Sequence, residues 1–291
     1  MFTGIIQSKS LSAKLVKKSF GAELIVSVES GFIKKLKKGD SVAVNGVCLT
    51  VCSFSKKTIK FEIIHESLRL SNLVKNISMP LNLERSLKMG EEIGGHLVSG
   101  HVHCMGKVKE FKKGKEKILT ISKPSQVKGY IFQKGYVAIN GISLTVSNST
   151  NSSFSVSLIP ETIERTNLSE IKKGDYLNIE ADQQTITIVE TVKKIVKGSI
   201  KLKVPILTFY VFSSENWKRP KNEISYLFKL IKNYFTKEID NVMDQGIKIN
   251  ILGELNKLTP NLKRILIKTS HLTKKNNKIT VNLAINYGSK F

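Results

Sequence analysis

After Asn45-Gly46 the apolar residues fall on alternate positions, Val47, Leu49 and Val51, and after Asn140-Gly141 they do so again at Ile142, Leu144 and Val146. A period of two is the spacing of a strand with one buried face. Asn-Gly suits a tight turn with positive φ, so each copy predicts a hairpin turn feeding a half-buried strand. The opposite face of that strand carries Cys48 and Thr50 in one copy, Ser143 and Thr145 in the other. The pattern changes at Thr185–Ser199, where Ile188, Val189, Val192, Ile195 and Val196 recur at helical spacing and predict a helix with one apolar stripe. Beyond it, Ile206–Phe212 reads as a buried strand. A helix follows from near Pro220, with Ile224, Leu227, Phe228, Ile231, Tyr234, Phe235, Ile239 and Val242 on one face. The strand IKINILG, a second helix near Pro260–Leu272 and the strand ITVNLAINYG complete a β-α-β-α-β order, which predicts a parallel α/β layer.

The seven-residue echo is part of a longer one. FTGII is answered by VSGHV, IHESLRLSNL by IPETIERTNL and LNLE by LNIE, always 95 or 96 residues apart. That period exceeds the roughly 20 to 50 residues of solenoid repeats, so the pattern is a domain duplication. Both halves are Val-, Ile- and Ser-rich strands separated by Gly, Asn and Lys turns. The predicted class is therefore mostly β: two antiparallel β-barrels, residues 1–92 and 93–184, then a helix at 185–199 and a partial α/β fragment at 205–291.

Charge adds one question. The net charge is +24, yet of 47 basic residues only Arg69, Arg85, Arg165, Arg219 and Arg264 are arginines, and the lysines run from end to end. Base-edge readout and bidentate phosphate binding favour arginine, so no specific nucleic-acid partner is expected, only salt-sensitive adhesion to polyanions. The apolar run Val204–Phe212 is far shorter than the ~20 residues of a spanning helix, and the opening MFTGIIQSKS lacks a secretory pattern, which predicts a cytoplasmic protein with no membrane partner. Cys48, Cys52 and Cys104 lack metal-ligand spacing and read as reduced thiols.

The opening MFTGII, NGVCLTV and NGISLTV, GGHLVSGH (Gly94–His101), KGYVAINGISLTV from Lys134 and LIPETIERTNL from Leu158 resemble the riboflavin synthase family over about residues 1–197. What the resemblance implies is a transferase that moves a four-carbon unit between two molecules of 6,7-dimethyl-8-ribityllumazine, giving riboflavin and 5-amino-6-ribitylaminopyrimidinedione. Donor and acceptor are the same compound, which accounts for a duplicated pocket. The family's chemistry needs neither metal nor cofactor, because the methyl carbanion delocalises into the ring. It also implies a homotrimer through the helix at 185–199, with the first barrel of one subunit facing the second barrel of its neighbour.

The resemblance also assigns residues. Cys48 and Thr50 face the first pocket, with Phe2, Thr3, Ser41 and Ser67 nearby, and Gly4 is a further substrate-binding residue. Ser143, Thr145, Ile159 and Thr162 line the second pocket, and Lys134 and Asp182 supply ring and ribityl hydrogen bonds and proton handling there. Residue type alone leaves two plainer readings open: Lys134 as one more surface lysine and Asp182 as the cap of the following helix. Gly100 and His101 lie in a small-residue stretch suited to close approach of backbone and ligand. His101 is the catalytic candidate among the histidines. His96 is suited to holding the junction between barrels, and His103 to a solvated face.

The segment FSSENWKRP, with INYG near the end, resembles cis-prenyltransferases of the undecaprenyl diphosphate synthase type over about residues 205–289, chiefly through Ser213, Ser214, Glu215, Asn216, Trp217 and Arg219. The family's amino-terminal aspartate loop and its later arginine-rich motif have no counterpart here. The expected activity is accordingly riboflavin synthase. A non-catalytic lumazine- or flavin-binding protein is the alternative, and prenyl transfer from the C-terminal segment a lesser one.

Overall fold

The computed structural model describes residues 1–288. The chain divides into two compact units, one ending at Ile186 and one beginning at Thr187. In the first copy β1 (Ser8–Lys9), β2 (Ser12–Lys18) and β3 (Gly21–Ser27) are followed by the short helix α1 (Ser30–Ile33). Then come β4 (Ser41–Val44), β5 (Val47–Phe54), β6 (Thr58–Ile64), α2 (His65–Leu70) and β7 (Asn82–Arg85). The second copy repeats the scheme with β8 (Cys104–Lys113), β9 (Lys117–Ser122), β10 (Tyr136–Ile139), β11 (Ile142–Ser149), β12 (Ser153–Leu158), α3 (Pro160–Arg165) and β13 (Tyr176–Ala181).

The second copy is a closed antiparallel barrel, β10-β11-β12-β9-β8-β13, because the ten-residue β8 pairs with both β13 and β9. In the first copy the corresponding stretch is broken. There β1 pairs with β7 and β2 with β3, at the two ends of the seven-stranded sheet β1-β7-β4-β5-β6-β3-β2. Between them Ser10 N donates to Leu81 O and Leu11 N to Ser27 O, so the chain steps from one edge to the other without a continuous ladder. The buried Ser10 Oγ accepts from Leu81 N at 2.8 Å and replaces the lost strand bond. The two expected barrels are thus one closed barrel and one sheet joined end to end by isolated bonds.

The Asn-Gly turns do more than reverse the chain. Asn45 and Gly46 take φ of 47° and 79°, Asn140 and Gly141 47° and 80°, as a two-residue hairpin turn of the primed type requires. The turns also pack against each other: a Cβ on Gly46 would stand 2.6 Å from Gly141 N, and one on Gly141 2.8 Å from Gly46 N. Around them six fully or almost fully buried asparagines form a network with internal two-fold symmetry. Asn72 Nδ2 donates to Asn140 Oδ1 and Asn167 Nδ2 to Asn45 Oδ1, each at 3.0 Å, while Asn82 Nδ2 donates to Asn140 O and Asn178 Nδ2 to Asn45 O at 3.0 and 2.8 Å. Buried polar groups are costly unless paired, and here each copy satisfies the other.

The segments before the barrels also cross over. Phe2 and Val98 form an antiparallel bridge, Ile6 packs in the core of the second copy and Val102 against that of the first. The boundary expected at residue 92 separates sequence blocks, whereas the packing exchanges an arm in each direction.

The second unit contains a parallel sheet, β14 (Ile206–Ser213), β16 (Ile279–Tyr287) and β15 (Ile247–Leu252), in that order. Its helices are α5 (Lys221–Asp244) and α6 (Pro260–Leu272). A further helix, α4 (Gln183–Lys201), enters this unit, where Val192, Val196 and Ile200 join the core of Phe212, Phe228, Phe235, Leu262, Leu266 and Ile285. The stripe of the helix expected to join subunits is therefore half used inside the chain: Val189 and Val196 are buried, while Ile188 and Ile195 remain exposed. The expected α/β span of 205–291 starts too late for this packing, and its last three residues, 289–291, lie outside the described residues. Among the described residues no helix is long and apolar enough to cross a membrane.

Candidate substrate sites in the two copies

Each arm is clamped by a buried glutamate from the strand LNLE or LNIE. Glu84 accepts from Thr3 N and Oγ1 at 2.7 and 2.8 Å and from Gly4 N at 3.1 Å. Glu180 accepts from Ser99 N and Oγ at 2.6 and 2.8 Å and from Gly100 N at 3.0 Å. Burial raises both carboxyl pKa values above the ordinary range, and the donated hydrogen bonds oppose it. Held in this way, each arm delivers a glycine to the opposite copy.

In the first copy Cys48 N donates to Gly100 O at 2.9 Å. A Cβ on Gly100 would stand 2.5 Å from Cys48 Cβ, so only glycine permits this approach. Thr50 pairs across β4 with Ser41, and His101 is exposed next to Gly100. In the second copy Ser143 N donates to Gly4 O at 2.8 Å, and a Cβ on Gly4 would stand 2.6 Å from Ser143 Cβ. Thr145 pairs across β10 with Tyr136. Ser67 and Thr162 hold equivalent half-buried places on α2 and α3, and Ile159 is exposed just before α3.

Two expectations need correction. Thr3, expected to be nearby in the first pocket, spends its N–H and hydroxyl on Glu84. Phe2 is wholly buried with Ala43, Val98 and Ala138 between the copies, which makes it a junction residue with no exposed surface to offer a ligand.

The candidates around Ser143 divide sharply. His96 Nδ1 lies 2.7 Å from Ser143 Oγ, and the ring stacks on Tyr136 with centroids 5.2 Å apart and planes 15° from parallel. Burial lowers the His96 pKa, while the charge of Asp182 acts in the opposite direction. Asp182 also caps α4, its Oδ2 accepting from Thr185 N at 2.9 Å and Thr185 Oγ1 at 2.6 Å. Lys134 stands apart in an exposed turn with φ of 64°, donating its N–H to Val146 O at 2.7 Å. Gly39 N makes the matching bond to Val51 O in the first copy, so Lys134 fills a turn position held there by glycine.

Sequence reasoning gave His96 only a junction role and missed the clamp glutamates and the asparagine network. The signal was present in LNLE and LNIE, whose Asn and Glu both repeat. His103 is half-buried, and its Nδ1 is buried with no hydrogen-bond partner among the described residues, which corrects the solvated face expected for it. Burial pushes the Cys104 thiol up to about 12, consistent with a packing residue.

A family model for the lumazine binding domain matches residues 3–86 and again residues 99–182. The chain is 42% identical over 202 residues to the riboflavin synthase of Chlamydia pneumoniae, covering 69% of this chain and 100% of that protein. The chain belongs to the riboflavin synthase family. The riboflavin synthase of Escherichia coli (strain K12) is 38% identical over 198 residues, covering 67% of this chain and 93% of that protein. The fold agrees: the solved structure of LumP complexed with riboflavin superposes with a TM-score of 0.59 at 21% identity, over 63% of this chain and 100% of that one. Beyond the riboflavin synthase region, residues 181–291 match the prenyltransferase family model for undecaprenyl diphosphate synthase. The helix α4 thus lies within the second match and follows directly on the first.

Proposed function

We propose that the chain is a riboflavin synthase, a transferase that dismutates two molecules of 6,7-dimethyl-8-ribityllumazine into riboflavin and 5-amino-6-ribitylaminopyrimidinedione. The observation that carries the reading is the duplicated seat: Cys48 and Ser143 occupy equivalent strand positions, each approached by a glycine of the opposite arm. A reaction whose two substrates are one compound needs two related seats. Holding both removes much of the entropy cost of a bimolecular step.

In this reading residues 1–92 and 93–184 are the two lumazine-binding domains. Cys48, Thr50, Ser41, Ser67, Gly100 and His101 bound the first seat. Ser143, Thr145, Gly4, Ile159, Thr162, Lys134 and Asp182 bound the second. The enzyme acts in the cytoplasm as a homotrimer, and the exposed Ile188 and Ile195 of α4 offer an apolar surface for that association. Residues 205–291 are a fused prenyltransferase-like segment with no prenyl-transfer activity of its own, since the segment lacks the family's aspartate loop.

The test is turnover. The full-length protein should convert the lumazine to riboflavin without added metal or cofactor, and native mass measurement should give three subunits. Tight lumazine binding with no riboflavin on chromatography would make it a binding protein instead.

A further inference from the structure

Lysines run along the whole chain, but acidic residues to match them do not. In α5 the lysines are interspersed with Glu223, Glu238, Asp240 and Asp244, and Lys193 of α4 lies 3.6 and 3.9 Å from Glu190 and Glu238. Between Glu254 and Phe291 the sequence holds no acidic residue. Within that stretch α6 buries Leu262, Leu266 and Thr269. At about 100° per residue, the opposite side of the helix carries Lys263, Arg264, Ile267, Lys268 and His271, with Leu272 at its rim. Lys263 Nζ donates to the neutral Asn256 Oδ1 at 3.4 Å, and among the described residues no ion pair reaches Lys263, Arg264 or Lys268. Ile267 and Leu272 are 50% and 44% exposed.

We propose that this outer face of α6 is a docking surface for an acidic phospholipid bilayer, with the helix lying flat among the headgroups. Such docking goes beyond the riboflavin synthase reading and does not depend on it. Among the described residues no helix can cross a membrane, and α6, with 13 residues, is well short of the ~20 that spanning takes. The expected absence of a membrane partner follows from that lack of a span. A helix that lies on the surface has no such length requirement: it needs a basic face with apolar side chains set into it.

Charge and apolar surface act together on this face. Each Lys or Arg close to an acidic leaflet is drawn to its negative potential, and no acidic residue of this stretch opposes the attraction. The long stems of Lys263 and Lys268 can lie beside Ile267 at the apolar boundary while their ammonium groups stay with the phosphates. Ile267 and Leu272, left half in water by the fold, gain burial there. These two side chains separate a bilayer from a nucleic acid as the partner. A nucleic-acid backbone rewards the cations and offers nothing to exposed isoleucine or leucine. The face also holds a single arginine, the residue suited to bidentate phosphate contacts.

The experiment sediments the full-length protein with vesicles of phosphatidylcholine alone or mixed with phosphatidylglycerol, at about 0.15 M salt. The protein should bind the mixed vesicles and leave the neutral ones. Replacing Lys263, Arg264 and Lys268 together by Gln should lower the partition coefficient about 100-fold, at about fivefold per charge near an acidic surface. Ile267→Ser with Leu272→Ser keeps every charge and should lower it about tenfold. Replacing the exposed Lys14, Lys17 and Lys18 of β2 by Gln removes the same net charge and should change it by no more than about threefold, since charges beyond about 10 Å from the surface are screened. A β2 variant that loses as much as the α6 triple variant would assign the adhesion to net charge and overturn the docking surface. So would equal binding to neutral vesicles, or an Ile267 and Leu272 variant that binds like wild type. Lysine acetylation read by mass spectrometry tests the unsubstituted protein: Lys263 and Lys268 should lose reactivity on the acidic vesicles while Lys14, Lys17 and Lys18 keep theirs. If a DNA duplex protects Lys263 and Lys268 and the acidic vesicles do not, the face is a nucleic-acid surface and the bilayer is ruled out.

Discussion

The first and second copies of the repeat, set side by side, separate scaffold from chemistry. Among the positions where both carry the same residue, the side chains of Asn45 and Asn140, Asn72 and Asn167, and Asn82 and Asn178 bond across the copies, Glu84 and Glu180 clamp the arms, and Gly4 and Gly100 allow the arms' backbone to approach the opposite copy. Three of the differences fall at a candidate seat or at a turn. Cys48 is replaced by Ser143, Ser41 by Tyr136 and Gly39 by Lys134 at the equivalent positions. The bonds that each copy draws from the other are matched, while the candidate seats keep Thr50 and Thr145 alike and differ at Cys48 and Ser143.

The asparagine network offers the harshest way to break that symmetry. Asn72→Ala and Asn167→Ala should each destabilise the protein by about 3 kcal/mol or more, because several buried donors and acceptors lose partners at once. Chemical denaturation should give nearly equal losses, since the bonds are paired across the two-fold. Clearly unequal losses would show that the copies depend on each other to different degrees.

The clamps come next. Glu84→Gln and Glu180→Gln should each cost about 1 to 3 kcal/mol at neutral pH, because an amide nitrogen replaces one of the two acceptors serving the arm. The pH dependence has a definite sign. Both folded-state pKa values are raised above the ordinary 4.5, so the contribution to stability is fully present below that value and is lost as pH rises through the higher folded value. The Gln variants lack this titration. Their deficit relative to wild type should therefore shrink as pH rises from about 4 towards neutrality, and a deficit that grows over that range would contradict the assignment.

The mildest change sharpens the comparison at a divergent position. Lys134→Gly restores the residue found at the equivalent turn and removes a non-glycine residue with φ of 64°. It should shift stability by no more than about 1 kcal/mol, relief of strain being offset by a freer unfolded chain. If Lys134 also reaches the ribityl chain or ring, KM for the lumazine should rise several-fold in the same variant. An unchanged KM would leave it a turn residue.

Much of this molecule could be read from the chain itself. Alternating Val, Ile and Leu fixed the strands around Asn45 and Asn140, the 95-residue echo fixed the duplication, and the order of strand and helix in the tail fixed a parallel α/β layer. Such features are local, a matter of which face of a strand or helix is apolar, and they survive in linear order. What the chain could not state is which distant surfaces meet. The arms look as if they belong to the copies they precede, yet Gly4 lies on Ser143 and Gly100 on Cys48. His96 carries no local signal of a serine 47 residues away. The stripe of α4 is apolar whichever partner covers it, and only packing showed Val196 in the core of the tail. Each was decided by contacts remote in sequence, where close approach at a glycine or the pairing of a buried polar group leaves one arrangement with its hydrogen bonds satisfied.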